Sequence, residues 1–166
     1  LVINAAAYTA VDKAESDPQT AFAVNKDGPA HLARACAKFG SALVHVSTDY
    51  VFDGNQSTAY TEDTPVVPLG VYGQSKEAGE QLVRKTLPRS LIIRTSWVFS
   101  AHGNNFVKTM LRLGSERDEL RIVSDQHGCP TSAADLAKAI KHAALACLAD
   151  EDCWGTYHYC GAGQTT

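Results

Sequence analysis

Several features that would narrow the function at once are missing from this sequence. Positive charge is not in excess: 15 Lys and Arg stand against 18 Asp and Glu, for a net charge of -3. The basic footprint of a nucleic-acid-binding protein is therefore absent. No apolar run approaches the ~20 residues that a membrane-spanning helix needs, and no secretory leader is recognisable. Cysteine is present five times, as Cys36, Cys129, Cys147, Cys153 and Cys160, but never as a CxxC pair. An odd count without framework spacing reads as reduced thiols, hence a cytoplasmic protein. Cys153 and Cys160 are the pair that oxidation could join. Internal repeats and low-complexity linkers are absent. The chain has no initiator Met: it opens inside an apolar run, Leu1-Val2-Ile3-Asn4, and stops at Gly163-Gln164-Thr165-Thr166. The expectation is a fragment of a longer protein.

What is there suffices for one domain. A length of 166 residues supports a real core, and 45% hydrophobic with 20% charged residues is ordinary for a globular protein. Leu1 to Asn4 reads as a strand covered on both faces, and the small-residue run Ala5-Ala6-Ala7 follows it. Asp17-Pro18 starts a helix, with a capping carboxylate before proline at the first helical position. Gly28-Pro29 predicts a kink or break in that helix, and Gly40 ends it. Residues 42–47 form the next strand, with His45 read as a packed core residue. Ser47-Thr48-Asp49-Tyr50 leaves its end. A helix over residues 72–86 and a strand over 91–95 follow, with Ser96-Trp97-Val98-Phe99 leaving that strand. A helix is expected from Phe106 to about Leu113 and a strand over 120–123. Another helix, capped by Ser132, runs to about Ala149, before a last strand over 156–160. Asp125, His127 and Cys129 alternate rather than follow zinc spacings, so no metal site is read there.

Strands that alternate with helices predict an α/β fold with a mainly parallel sheet. Right-handed crossovers then put the ends of the strands at Ile3, Val46 and Ile93 on one rim. Ligands bind outside the carboxyl ends of strands in such sheets. Ala6, Ala7, Tyr8, Thr9, Thr48, Asp49 and Trp97 should gather there, although each of these segments also reads as ordinary turn or core chemistry.

The helix beside that rim opens with Tyr72-Gly73-Gln74-Ser75-Lys76. Residues four apart share a helix face, so phenol and ammonium can serve one site. A free tyrosine titrates near ~10. A cation ~5 Å away, at an effective dielectric of ~20, would stabilise the phenolate by roughly 3 kcal/mol and lower that value by about two units. Such a phenol suits general acid–base work. The pair alone is a weak signal, since a lysine four residues after a tyrosine is common.

Together, Asn4-Ala5-Ala6-Ala7, Ser47-Thr48-Asp49 and the Tyr72/Lys76 pair resemble the extended short-chain dehydrogenase/reductases. More closely, the segments beginning at Asn4 (NAAAYTAVDKAE), Val44 (VHVSTDYVFDG), Tyr72 (YGQSKEAGE), Ile92 (IIRTSWVF) and Asp125 (DQHGCPT) are similar to the dTDP-4-dehydrorhamnose reductase family over nearly the whole chain. The glycine-rich phosphate turn that opens that family's fold has no counterpart here.

The resemblance implies a Rossmann-like, doubly wound α/β fold that lacks its first strands. Residues 1–166 would form a single-domain fragment, the C-terminal half of the dinucleotide-binding fold plus part of a small substrate-binding region. It implies NADPH or NADH as cofactor, a dTDP-sugar as substrate, and reduction of a C4 ketone. By resemblance the catalytic set is Thr48, Tyr72 and Lys76. The cofactor set is Ala6, Ala7, Tyr8, Thr9 and Ser47 with Tyr72 and Lys76. The substrate set is Thr48, Asp49, Trp97, Val11, Asn105 and Gln126. It also allows a homodimer, with Mg2+ at its contact as in some relatives. No nucleic-acid or membrane partner is implied. Two other readings stay open: a nucleotide-sugar epimerase or dehydratase of the same superfamily, and a non-catalytic subunit like the regulatory partner of methionine adenosyltransferase.

Overall fold

The computed structural model describes residues 1–166, the side chain of Glu151 excepted. Four parallel strands make the main sheet: β1 (Val2–Asn4), β2 (Leu43–Thr48), β3 (Ser90–Thr95) and, after a gap in sequence, a strand over Gly155–His158. Their order across the sheet is the order of the chain, with the last strand beside β3. Between β1 and β2 come α1 (Val11–Ser16), α2 (Pro18–Phe22) and α3 (Gly28–Lys38), and α4 (Val71–Thr86) joins β2 to β3. After β3 come β4 (Val98–Phe99), α5 (Phe106–Glu116), β5 (Thr131–Ser132) and α6 (Ala133–Ala149), so the Gly155–His158 strand is β6. Every sheet pairing is parallel, as helical crossovers require. The fold is α/β and Rossmann-like.

Two cores flank the sheet because the central strands alternate their side chains. Val44, Leu91 and Ile93 face Leu136, Ile140, Ala144 and Cys147 of α6. Leu43 and Ile92 face Ala33 and Cys36 of α3 and Val83 of α4. Each fully buried aliphatic side chain contributes about 1.5–3 kcal/mol, so β2 and β3 are the firmest part of the fold.

The chain does not break at Gly28-Pro29. Residues Ala23–Asp27 form one wide π-type turn between α2 and α3. Widening the turn relieves the clash a proline makes with the preceding carbonyls. The turn also pushes the Asn25 carbonyl against α4, where a Cβ at Gly79 would lie 2.1 Å from the Asn25 oxygen. Asp17 caps α2 by accepting from the Thr20 amide. The amide of Val71, at the start of α4, is capped from a distance by Glu15 Oε1 at 2.8 Å, and the carboxylate there also suits the positive end of the helix.

β1 lies at the edge of the sheet among the described residues, and Leu1 and Ile3 are about half exposed there. Two expectations are corrected. Residues 120–123 form no strand, and Ile122 and Val123 are exposed. No neighbouring strand pairs their backbone among the described residues, so the apolar run has nothing to bury against. The cysteines pair differently in space: Cys147 donates to the Cys153 carbonyl, and Cys129 lies beside Cys160. All five are free thiols. No helix among the described residues is long and apolar enough to cross a membrane.

Candidate active site

The carboxyl ends of β1, β2 and β3 carry the alanine turn, Thr48 and Thr95 respectively, and α4 lies across them. Two side chains of α4, one turn apart, grip consecutive residues of β2. Lys76 Nζ donates to the Val46 carbonyl at 2.7 Å, and Ser47 Oγ donates to Glu80 Oε1. Thr48 is the next residue, and its hydroxyl bears on the Tyr72 phenol. Tyr72, Lys76 and Thr48 are all buried.

The electrostatics differ from the sequence expectation. The Tyr72 phenol is held above its usual range, first by burial and then by the neighbouring Asp49 and Tyr50, with the Thr48 hydroxyl pulling the other way. Lys76 is not among the influences. Its ammonium is tied to a strand carbonyl, and burial lowers its own pKa to about 8 against the upward pull of Glu80. The phenol is thus kept protonated, the form a proton donor needs. Thr48 Oγ1 donates to Asp49 Oδ1 at 3.0 Å and accepts from the Tyr50 amide at 3.2 Å. To serve another oxygen, the Thr48 proton must swing away from Asp49. Burial also raises the Asp49 carboxyl.

The alanine turn is fixed by two asparagines. Asn4 Oδ1 accepts the Ala6 amide at 3.1 Å, so its Nδ2 must be the donor to His45 Nδ1 at 3.0 Å. The ring is then neutral with its proton on Nε2, in keeping with a pKa lowered by burial to about 3. Asn25 Oδ1 accepts the Tyr8 amide, and Asn25 Nδ2 donates to the Tyr8 carbonyl and to Ser75 Oγ. Ser75 Oγ in turn donates to the Tyr72 carbonyl. Asn25 therefore links the turn to the helix that carries Tyr72 and Lys76. The hydroxyls of Tyr8 and Thr95 are buried without a partner among the described residues.

Trp97 is the one non-glycine residue with positive φ among the described residues, at 46°. Left-handed backbone at a bulky residue costs on the order of 1–3 kcal/mol and persists where the surroundings impose it. Here the Thr131 amide donates to the Trp97 carbonyl, and Gly128 lies flat against the indole. A Cβ on Gly128 would sit 2.6 Å from Cε2 of the ring. The short β4–β5 pairing, not expected from sequence, is what brings the 125–131 loop to the indole.

The other expected site residues divide. Ala6 and Thr9 are exposed, Ala7 and Tyr8 half-buried, all on the turn after β1. Val11 packs beside Tyr8 against a cluster that includes Tyr72. Ser47 is buried with its hydroxyl spent on Glu80, so its side chain is not free to meet a cofactor. Asn105 caps α5, accepting from the Lys108 amide and donating to the Ser100 carbonyl, so both ends of its amide are used locally. Gln126 is exposed on the loop before Gly128, and no hydrogen bond joins it to Tyr72 or Thr48 among the described residues. Asn25, Glu80 and Gly128 were missed. Of these, only the Gly28-Pro29 break near Asn25 left a mark that could be read.

The RmlD substrate binding domain family matches residues 1–166. The chain belongs to that family. It is 49% identical over 168 residues to a dTDP-4-dehydrorhamnose reductase of Sinorhizobium fredii, covering 100% of this chain and 57% of that protein. It is 46% identical to the Escherichia coli protein of the same name, covering 100% and 56%. A crystal structure of dTDP-4-dehydrorhamnose reductase from Bacillus anthracis in complex with NADP superposes with a TM-score of 0.92 at 43% identity, covering 99% of this chain and 57% of that one. The chain spans little more than half the length of these relatives.

Proposed function

We propose that the protein carrying this chain is a dTDP-4-dehydrorhamnose reductase, which reduces the C4 ketone of dTDP-4-dehydro-L-rhamnose to dTDP-L-rhamnose. The observation that carries this reading is that α4 buries Tyr72 and Lys76, one turn apart, against the carboxyl end of β2, where Lys76 donates to the Val46 carbonyl and the strand ends at the buried Thr48. The residues fit a nicotinamide cofactor, NADPH or NADH. Alanines leave room after β1, and the buried Tyr8 and Thr95 hydroxyls lack partners among the described residues. When bound, that cofactor would supply the hydride.

Protein groups do the rest. Tyr72 is held protonated and donates that proton to the carbonyl oxygen as negative charge grows there. Thr48 turns its hydroxyl from Asp49 to the same oxygen. Lys76 holds positive charge behind the phenol, and with Ala6, Ala7, Tyr8 and Thr9 it forms the wall against which the cofactor would lie. Trp97, pinned by the Thr131 amide, offers a flat face to the sugar, and Asp49 beside Thr48 and Val11 beside Tyr72 are the other substrate-side candidates. Five free thiols fit a cytoplasmic enzyme.

The test is consumption of NADPH by the full-length protein given the dTDP-4-keto sugar. Loss of reduced-nicotinamide absorbance that depends on the sugar is expected. A tightly held NAD+ with no net NADPH consumption would favour an epimerase or dehydratase instead. Absence of turnover with a stable hetero-complex would favour a regulatory subunit.

A further inference from the structure

Glu80 is a carboxylate with no exposure to solvent, on the sheet-facing side of α4. It is held from three elements. Ser47 Oγ of β2 donates to Oε1, and Arg94 of β3 donates from Nε to Oε1 at 3.1 Å and from Nη2 to Oε2 at 2.8 Å. Arg84, one turn further along α4, donates to Oε2 at 3.0 Å. Burying such a pair is a poor way to gain stability, because apolar residues of similar volume usually do as well or better. The position of Glu80 suggests another use. It lies one turn beyond Lys76, which is 1% exposed and has only the Val46 carbonyl as a partner among the described residues. A buried ammonium needs a counter-charge more than it needs a dipole.

We infer that Glu80 is a positioning residue for the reductase site: it fixes α4 on β2 through Ser47 and supplies the negative charge that keeps Lys76 an ammonium. This rests on the function proposed above only in so far as Lys76 serves turnover. The charged and titratable groups around Lys76 can be set out by element. Tyr72, Glu80 and Arg84 lie on α4, His45 and Asp49 on or just after β2, Arg94 on β3, and Tyr8 on the alanine turn. Asp12 of α1 stands beyond them, near Tyr50. His45 is neutral, and Asp49 is turned to Thr48. Arg94 and Arg84 both bond to Glu80 and offset part of the negative charge it presents to Lys76. Glu80 is the one group that raises the Lys76 pKa, and burial alone opposes it.

The experiment compares full-length wild type with Glu80→Gln, Glu80→Asp and the double variant Glu80→Gln/Arg94→Met. The double variant removes both buried charges, so it leaves no buried guanidinium unpaired if Glu80→Gln alone unfolds; Arg84, which also loses Glu80, is open to solvent. Two readouts are taken. One is the alkaline limb of kcat/KM with the keto sugar. The other is the NMR titration of Lys76 in protein with isotope-labelled lysine, which needs no turnover. In Glu80→Gln and in the double variant, both the limb and the Lys76 midpoint should fall by about one pH unit. Glu80→Asp should keep both near wild type. An unchanged Lys76 midpoint with activity lost equally at every pH would overturn the inference and leave Glu80 as a structural pin. A wild type that shows no turnover would overturn the proposed function instead, and the titration would still decide the role of Glu80.

Discussion

Asn25 satisfies both backbone polar groups of Tyr8, accepting its amide at 2.8 Å and donating to its carbonyl at 3.0 Å. The third bond, to Ser75 Oγ, ties the same side chain to α4 at the residue just before Lys76. Asn25→Ala leaves the Tyr8 amide and carbonyl without partners and takes one of the two bonds of Ser75 Oγ, and each unpaired group costs about 1–3 kcal/mol. Asn25→Asp keeps the acceptor for the Tyr8 amide but loses both donors. We expect both variants of the full-length protein to unfold at lower urea and to bind NADPH more weakly, with Asp no milder than Ala, because its carboxylate is buried against the Tyr8 carbonyl. Calorimetric NADPH binding at wild-type affinity in Asn25→Ala would show that the alanine turn needs no such tie.

The fold was legible in the sequence where one element suffices to betray itself. The apolar runs of β2 and β3, the Asp17-Pro18 start and the Tyr72 helix all declare themselves locally. Failures came where a distant partner decides. Residues 120–123 read as a strand because the run is apolar, but a strand needs a neighbour. Lys76 at the right spacing predicts a lowered phenol, whereas burial, which outweighs the Thr48 hydroxyl, keeps Tyr72 high. Asn25, Glu80 and Gly128 gain their meaning from groups on other elements, and a lone sequence cannot show these.

Tyr72→Phe removes the acid and, besides it, only the phenol's contact with the Thr48 hydroxyl, which keeps its bonds to Asp49 and to the Tyr50 amide. General acid help is worth about 10²–10⁴ in rate. In the full-length enzyme, kcat should fall by at least that range while the unfolding midpoint and NADPH affinity stay near wild type. Turnover close to wild type would take Tyr72 out of the chemistry.

Gly128 and Trp97 should act as one unit. A methyl at position 128 would overlap the indole, with three ring atoms within 3.0 Å. Because the Trp97 backbone is strained and pinned by Thr131, the ring cannot retreat without loosening β4 and β5. Gly128→Ala and Trp97→Ala should therefore each raise KM for the sugar, with a smaller change in kcat and none in NADPH affinity. In a double-mutant cycle the two losses should fall well short of adding. Full additivity in the measured kcat/KM values would separate the glycine from the indole.

His45 sets a pH dependence of stability with a definite sign. Its ring titrates near 6.5 in the unfolded chain but at about 3 in the fold, because burial and the nearby Lys76 disfavour the imidazolium. Between those values the unfolded chain holds the extra proton, so stability rises with pH and is complete above about 6.5. At about pH 5 the loss should be on the order of 2 kcal/mol. Glu80, whose carboxyl is held low, adds a loss of the same sign only at more acid pH, while Asp49, whose carboxyl is raised, works the other way. Comparison with His45→Leu isolates the ring: that variant is less stable overall, since Asn4 loses its acceptor, but its urea midpoint should vary less between about pH 5 and 6.5. Parallel curves would mean that the folded ring takes the proton after all. Asn4 would then have to turn its oxygen to the imidazolium and release the Ala6 amide, and the alanine turn would lose its first tether in acid.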